Sequence, residues 1–90
     1  MNRILGPGIR KDRLDCSIFQ PGEYGKVANG MFYACVPDMP DMVANLGGHK
    51  VIEHEDGTIT VSPSILITTK ENGKQIQWHG YLERGIWREV

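Results

Sequence analysis

Nowhere in this chain does an apolar run approach the roughly 20 residues that a membrane-spanning helix needs. The opening stretch MNRILGPGIRKDRLD also lacks the apolar core of a secretory leader, so the expectation is a cytoplasmic protein. Cysteine is scarce: Cys16 and Cys35 form no Cys-x-x-Cys pair and too small a set for a disulfide framework. In a reducing compartment both read as free thiols, and the ordinary role of such a thiol is a small buried apolar side chain. Charge of one sign is lacking too. The net charge is -1, with no basic block and no acidic tail, which disfavours a binder of double-stranded nucleic acid. There is no phosphate-cradling glycine loop ahead of a helix, no nucleophile elbow and no HExxH pair. Internal repeats, heptads and low-complexity tracts are absent as well. These absences leave a small globular domain without an enzyme's signature.

What is present is a set of turns. Asp56-Gly57, Asn72-Gly73 and Arg84-Gly85 are each flanked by residues that alternate apolar and polar, the pattern of antiparallel strands joined by tight hairpins. A two-residue turn at Asn72-Gly73 sets Glu71 opposite Lys74, Thr69 opposite Ile76, Ile67 opposite Trp78 and Ile65 opposite Gly80. Opposed residues share a face, so Ile65, Ile67, Ile76 and Trp78 form one apolar wall. Leu66, Thr68, Gln77, His79 and Tyr81 take the other face. A turn at Arg84-Gly85 sets Leu82 opposite Trp87, both on the Trp78 side. Two independent turns thus build the same wall, and a one-residue slip in either would turn it to solvent.

The same treatment of Asp56-Gly57 sets His54 opposite Ile59, Glu53 opposite Thr60 and Ile52 opposite Val61. Pro63 cannot donate a ladder hydrogen bond and marks a bend, a bulge or a switch of sheet before Ile65. The second half of the chain then reads as five short strands in meander order. Met31 to Val36 is a continuous apolar run and reads as a buried strand. Pro40, Asp41 and Gly47 suit one or two helical turns over Asp41 to Leu46. Residues 1–30 are punctuated by Gly6-Pro7-Gly8, Gln20-Pro21-Gly22 and Asn29-Gly30 and read as an irregular arm lying on the sheet. The expected fold is therefore mostly β: a small antiparallel meander sheet or sandwich over residues 31–90, with one short helix or helical turn and an irregular N-terminal arm. Ninety residues make one domain at most.

The polar candidates are few. His79 shares its expected face with Gln77, Tyr81, Leu66 and Thr68, a patch that mixes aromatic, hydrogen-bonding and titratable groups. If a second layer covers that face, His79 is an ordinary half-buried residue. Met39 and the acids Asp38 and Asp41 flank the expected helical turn, and a Met-rich loop is either a lid over the sheet or an adaptable contact surface. Cys35, His49, His54 and His79 are weak candidates for zinc, because none of them lie at the short separations of structural zinc sites.

At SPSIL and WHGYLERGIW the sequence resembles a group of small uncharacterised phage and bacterial proteins, some of them mislabelled as ammonia monooxygenase. The matching residues are Phe32 to Cys35, Pro63-Ser64-Ile65-Leu66, and His79-Gly80-Tyr81 with Gly85. The resemblance covers about residues 31–90. It implies a Cys-rich metal knuckle after the aromatic strand, but here Cys35 is followed by VPDMPDM with no second cysteine, and Trp78 stands where a cysteine commonly precedes the histidine. The knuckle implied by the family is degraded in this chain. The family implies no established activity; it does imply a mobile-element origin, where small β-domains often act by binding a host protein.

Together these features support first a non-enzymatic phage or prophage protein that binds a host protein, through His79, Tyr81 and Gln77, through Asp38, Met39 and Asp41, or through the N-terminal arm. A second reading is a small zinc-binding domain using Cys35 and histidines. A third is a ligand-binding or hydrolytic domain with His79 as its base, for which the sequence offers no nucleophile. Single-stranded nucleic acid is a weak fourth, resting on Trp and Tyr alone. A homodimer through edge strands is compatible with each of them.

Overall fold

The computed structural model describes residues 3–15, 19–39 and 42–90. All regular elements among them are strands: β1 Arg3–Pro7, β2 Ile9–Arg10, β3 Glu23–Lys26, β4 Phe32–Cys35, β5 Val43–Asn45, β6 Lys50–Glu53, β7 Ile59–Glu71, β8 Lys74–Glu83 and β9 Ile86–Glu89. They form a five-stranded sheet in the order β1-β9-β8-β7-β6 and a four-stranded sheet in the order β2-β3-β4-β5. The mostly β fold expected from the sequence is present as a two-sheet sandwich.

The long β7–β8 hairpin follows from its turn. Asn72 and Gly73 take φ of 52° and 79°, the left-handed pair that matches the twist of the flanking strands. Glu71 faces Lys74, Thr69 faces Ile76, Ile67 faces Trp78 and Ile65 faces Gly80, in the expected register. Arg84 and Gly85 repeat the device with φ of 47° and 76°, and Leu82 faces Trp87. Gly85 meets a second constraint, since a Cβ there would stand 2.8 Å from the Tyr24 hydroxyl oxygen. The wall predicted from these two turns is the core. Ile65, Trp78, Leu82 and Trp87 are buried, and Ile67 and Ile76 pack partly buried beside them. The two tryptophans meet edge to face, with centroids 5.7 Å apart.

The upstream hairpin differs from expectation by one residue. Glu53 faces Ile59, Ile52 faces Thr60 and Val51 faces Val61. The loop holds three residues rather than two: the Gly57 N–H donates to the His54 carbonyl at 3.0 Å, and the His54 N–H donates to the Thr58 carbonyl at 2.8 Å. Gly57, at φ 87°, supplies the left-handed position that closes such a loop. Asp56 Oδ1 fixes the turn by accepting from the Thr58 N–H at 3.0 Å and the Thr58 hydroxyl at 2.6 Å. The slip exchanges faces: Val51 packs against the core, and Ile52 is exposed.

Pro63 marks an irregularity and not a change of sheet, so four strands replace the five expected in this half. Val61 faces Leu82 and Ile65 faces Gly80, so four steps along β7 match two along β8. The surplus is even, and side chains alternate with period two, so the faces of β7 are preserved across it.

Two further expectations are corrected. The described part of the first 30 residues is more regular than the irregular arm expected. In them β1 pairs antiparallel with β9 at the edge of the larger sheet, while β2 pairs parallel with β3 in the smaller. Between β1 and β2 the Gly8 N–H donates to the Gly85 carbonyl at 2.7 Å, tying this crossing strand to the β8–β9 turn. The helical turn expected over Asp41 to Leu46 is likewise absent among the described residues 42–46: Val43–Asn45 is strand β5, with Cys35 facing Val43 and Ala34 facing Ala44. A helix of one or two turns cannot offset its nucleation cost. Here a free sheet edge offers ladder hydrogen bonds, and Leu46 is drawn into the core.

The main core lies between the sheets, where Tyr24, Ala34, Val36, Met39 and Leu46 meet the tryptophan wall. A second cluster, Phe19, Val27 and Cys35 with Met31, Tyr33 and Val43 around it, lies on the far side of the smaller sheet. Arg13 bridges to the buried Glu23 beneath it, at 2.9 Å. Among the described residues no helix is long and apolar enough to cross a membrane.

Candidate functional site on the open face of the larger sheet

The residues that the hairpin register assigns opposite Trp78 do share a face. Leu66 pairs with His79, Thr68 with Gln77 and Tyr81 with Arg88. Leu66 is 58% exposed, and Thr68, Gln77 and His79 are exposed as well. Among the described residues no second layer covers His79, because the N-terminal strands join the β9 edge and the smaller sheet.

Four large apolar side chains point out from this side of the sandwich. Ile52 sits beside Thr60, Ile86 beside Glu83, Ile4 beside Arg88, and Leu66 beside His79. Their direction follows from period-two alternation, since Ile59, Val61, Leu82 and Trp87 point inward. The outward side chains are spread from β1 to β6 among polar partners, so the face is mixed apolar and polar across its whole width.

The polar groups of this face hold one another in place. His79 Nε2 lies 2.7 Å from Ser64 Oγ, which reaches it from the irregular part of β7. His49 Nε2 donates to the Ser64 carbonyl at 3.2 Å, so two imidazoles brace one residue from different sides. The His79 and Tyr81 rings are tilted, with centroids 6.3 Å apart. The Arg88 guanidinium stacks 4.4 Å over the Tyr81 ring, and Glu83 orients it by accepting from Arg88 Nε at 3.1 Å and from Nη2. A planar guanidinium on an aromatic face, fixed by a carboxylate, is preorganised for recognition.

The Ser64–His79 contact supplies the hydroxyl that a histidine base requires, and the sequence reading had no nucleophile to offer. An acyl-transfer site also needs donors converging on a developing oxyanion and a group orienting the far nitrogen of the imidazole. Among the described residues, the hydrogen bonds to the Ser64 and His79 side chains furnish neither.

The remaining candidates are scattered. Asp38 is exposed and within 3.5 Å of Arg3, at the sheet edge. Met39, which the sequence left as part of a lid or of an adaptable contact surface, is buried in the core. Asp41 lies outside the described residues. Asp38, Met39 and Met42 border a cavity of about 390 Å³ against Thr69, Lys70, Glu71 and Ile76, at the β7–β8 tip and away from His79. The zinc set is not assembled either. Cys35 is fully buried on the smaller sheet, His54 Nε2 lies 2.7 Å from Thr60 Oγ1, and His79 is on the opposite outer surface. Among the described residues no group of three or more His, Cys, Asp and Glu side chains is placed to hold a metal ion.

Elsewhere one edge of each sheet is tied to the other. Arg10 of β2 reaches across to Glu53 of β6 at 2.7 Å and to the Gly57 carbonyl at 3.0 Å, and also pairs with Asp12 at 3.0 Å. Hydrogen bonds from this guanidinium hold the Asp12 and Glu53 carboxyls below their ordinary values. Charged side chains are the usual protection of a strand edge, and these contacts protect β2 and β6.

Sequence reasoning found Leu66, Thr68, Gln77, His79 and Tyr81, and missed Ser64, Arg88 and Ile52. Arg88 was within reach, since extending the Arg84-Gly85 register by one pair places it opposite Tyr81. Ser64 depended on the two surplus residues of β7, and Ile52 on a loop length; neither has a local sequence signal. Comparisons with family models, curated proteins and solved structures gave no match to this chain.

Proposed function

We propose that this chain is a non-enzymatic protein-interaction module of a phage or prophage, and that it holds a host protein through the open face of its larger sheet. The observation that carries this reading is the exposure of Leu66, Ile4, Ile52 and Ile86 on the same face as the stacked Tyr81–Arg88 pair and a braced His79. Tyrosine and arginine are the residue types that most often anchor protein interfaces, above all where packing already fixes their rotamers. The phage origin and the choice of a host protein rest on the family resemblance of the PSIL and WHGYLERGIW segments.

Site-specific photo-crosslinking in a bacterial host tests the reading. A photoreactive amino acid is placed at exposed Gln77 on the open face or at Leu14, which is 83% exposed on the far side. The reading expects a discrete adduct with one host protein from position 77 and none from position 14. Adducts from position 14 alone would place the contact on the other side of the molecule and end the proposal.

A further inference from the structure

We infer that the surface this face recognises is an acidic one, a protein segment that sets carboxylates around apolar residues. The inference rests on the interaction reading above and adds the chemistry of the partner. It comes from how charge is distributed. The whole chain is nearly balanced, with 10 Lys and Arg against 11 Asp and Glu. The open face is not balanced. Along its strands the register points Lys50, Lys70 and Arg88 outward against a single acid, Glu83. That acid is already taken by Arg88. The acids sit elsewhere: Asp12 and Glu23 are bound by Arg10 and Arg13, and Glu55 and Asp56 lie in the β6–β7 turn. A locally cationic face on a weakly anionic protein steers toward carboxylates and away from other cationic surfaces.

Arg88 sharpens the choice. Its Nε and Nη2 are engaged by Glu83, and the remaining donors of the fork can take a carboxylate in the plane that the Tyr81 ring enforces. Ile4, exposed directly across from Arg88, gives an apolar side chain a place to rest. A second copy of this chain fits badly, because two such faces would oppose cation to cation. A nucleic-acid strand fits badly too. Lys50 pairs with Ser62 while Lys70 lies eight residues further along β7, two of them surplus against β8, so the two lysine positions stand roughly 20 Å apart along the strand with no Lys or Arg of this face between them on β7.

The test is an amide-shift titration of the isotope-labelled protein with three probes: a peptide of alternating Glu and Leu with one Phe, the same peptide with Lys for Glu, and an oligothymidylate. The acidic peptide is expected to shift Leu66, His79, Tyr81 and Arg88. Its affinity should fall about ten-fold between low and high salt, and about ten-fold again in a K50E/R88E variant that melts like the wild type. Equal binding of the lysine peptide, stronger binding of the oligothymidylate at these residues, or no shift there from any probe would each overturn the inference. The two proposals fail separately. A crosslinked host protein whose binding ignores salt and K50E/R88E removes the acidic partner and leaves the interaction reading standing. A crosslink from position 14 alone removes the interaction reading itself.

Discussion

Ser64 Oγ and His79 Nε2 are 2.7 Å apart across the place where β7 carries two residues more than β8. The surplus residues lift Ser64 onto the open face, and His49 secures its carbonyl from beneath. The pair therefore shapes a surface and supports little of the core.

Removing it should leave the fold nearly untouched. Ser64→Ala and His79→Ala are each expected to cost no more than about 1 kcal/mol of stability, the worth of one hydrogen bond that water can replace. Binding of the crosslinked partner should weaken several-fold in both. Urea unfolding beside a binding titration separates the two effects, and a loss above about 2 kcal/mol would mean that the pair is structural after all.

The opposite balance holds on the inner face. Trp78→Ala empties a site that is 2% exposed and packed edge to face on Trp87, so a loss of about 3–5 kcal/mol is expected. Leu66→Ala, one pair away but pointing outward, should fall within about 0.5 kcal/mol of the wild type. Chemical denaturation of the two variants measures the face assignment directly, because a register slip would reverse their order.

Much of this was legible beforehand. The Asn72-Gly73 and Arg84-Gly85 turns fix the register of β7, β8 and β9, because a left-handed residue pair admits one hairpin geometry and the apolar wall agrees with it. Asp56-Gly57 misled because Asp-Gly also closes three-residue loops, where the Asp caps the turn and only the Gly is left-handed. The N-terminal strands could not be read. β1 and β2 are short; β1 pairs with β9 at the far end of the chain and β2 pairs parallel with β3 across an irregular connection, so nothing local marks them. The apolar face of the predicted helical turn was real, yet Met39 and Leu46 serve a sheet edge instead.

Acid should loosen the smaller sheet first. Burial pushes the Glu23 carboxyl up, but the Gln20 N–H and the Arg13 guanidinium outweigh it and hold Glu23 below its ordinary value. Its folded form therefore takes up a proton at lower pH than its unfolded form does. The stabilisation is complete above the unfolded value and is lost as pH falls through the folded one. Stability should be flat near neutrality and decline below roughly pH 4.5, less steeply in Glu23→Gln. Thermal melts across that range check the slope, and an unchanged slope in Glu23→Gln would remove Glu23 from the account.

The Cys35 thiol should resist alkylation. It is 0% exposed within the Phe19 and Val27 cluster, and a buried thiol in apolar surroundings is inert. Iodoacetamide followed by peptide mapping should leave Cys35 unmodified in the native protein and modify it in denaturant. Rapid native labelling would show that this cluster opens.

The central claim is that one face of the larger sheet is the contact surface, and a matched pair of variants tests it most directly. Leu66→Asp with Tyr81→Ala alters that face, while Lys11→Ala with Leu14→Asp alters exposed positions on the other side. Both should melt with the wild type, and partner binding should be measured for each by titration. The account predicts at least about a hundred-fold loss for the first pair, as expected when anchor residues are removed, and none for the second. Equal binding by all three proteins, or loss in the second pair alone, would contradict it.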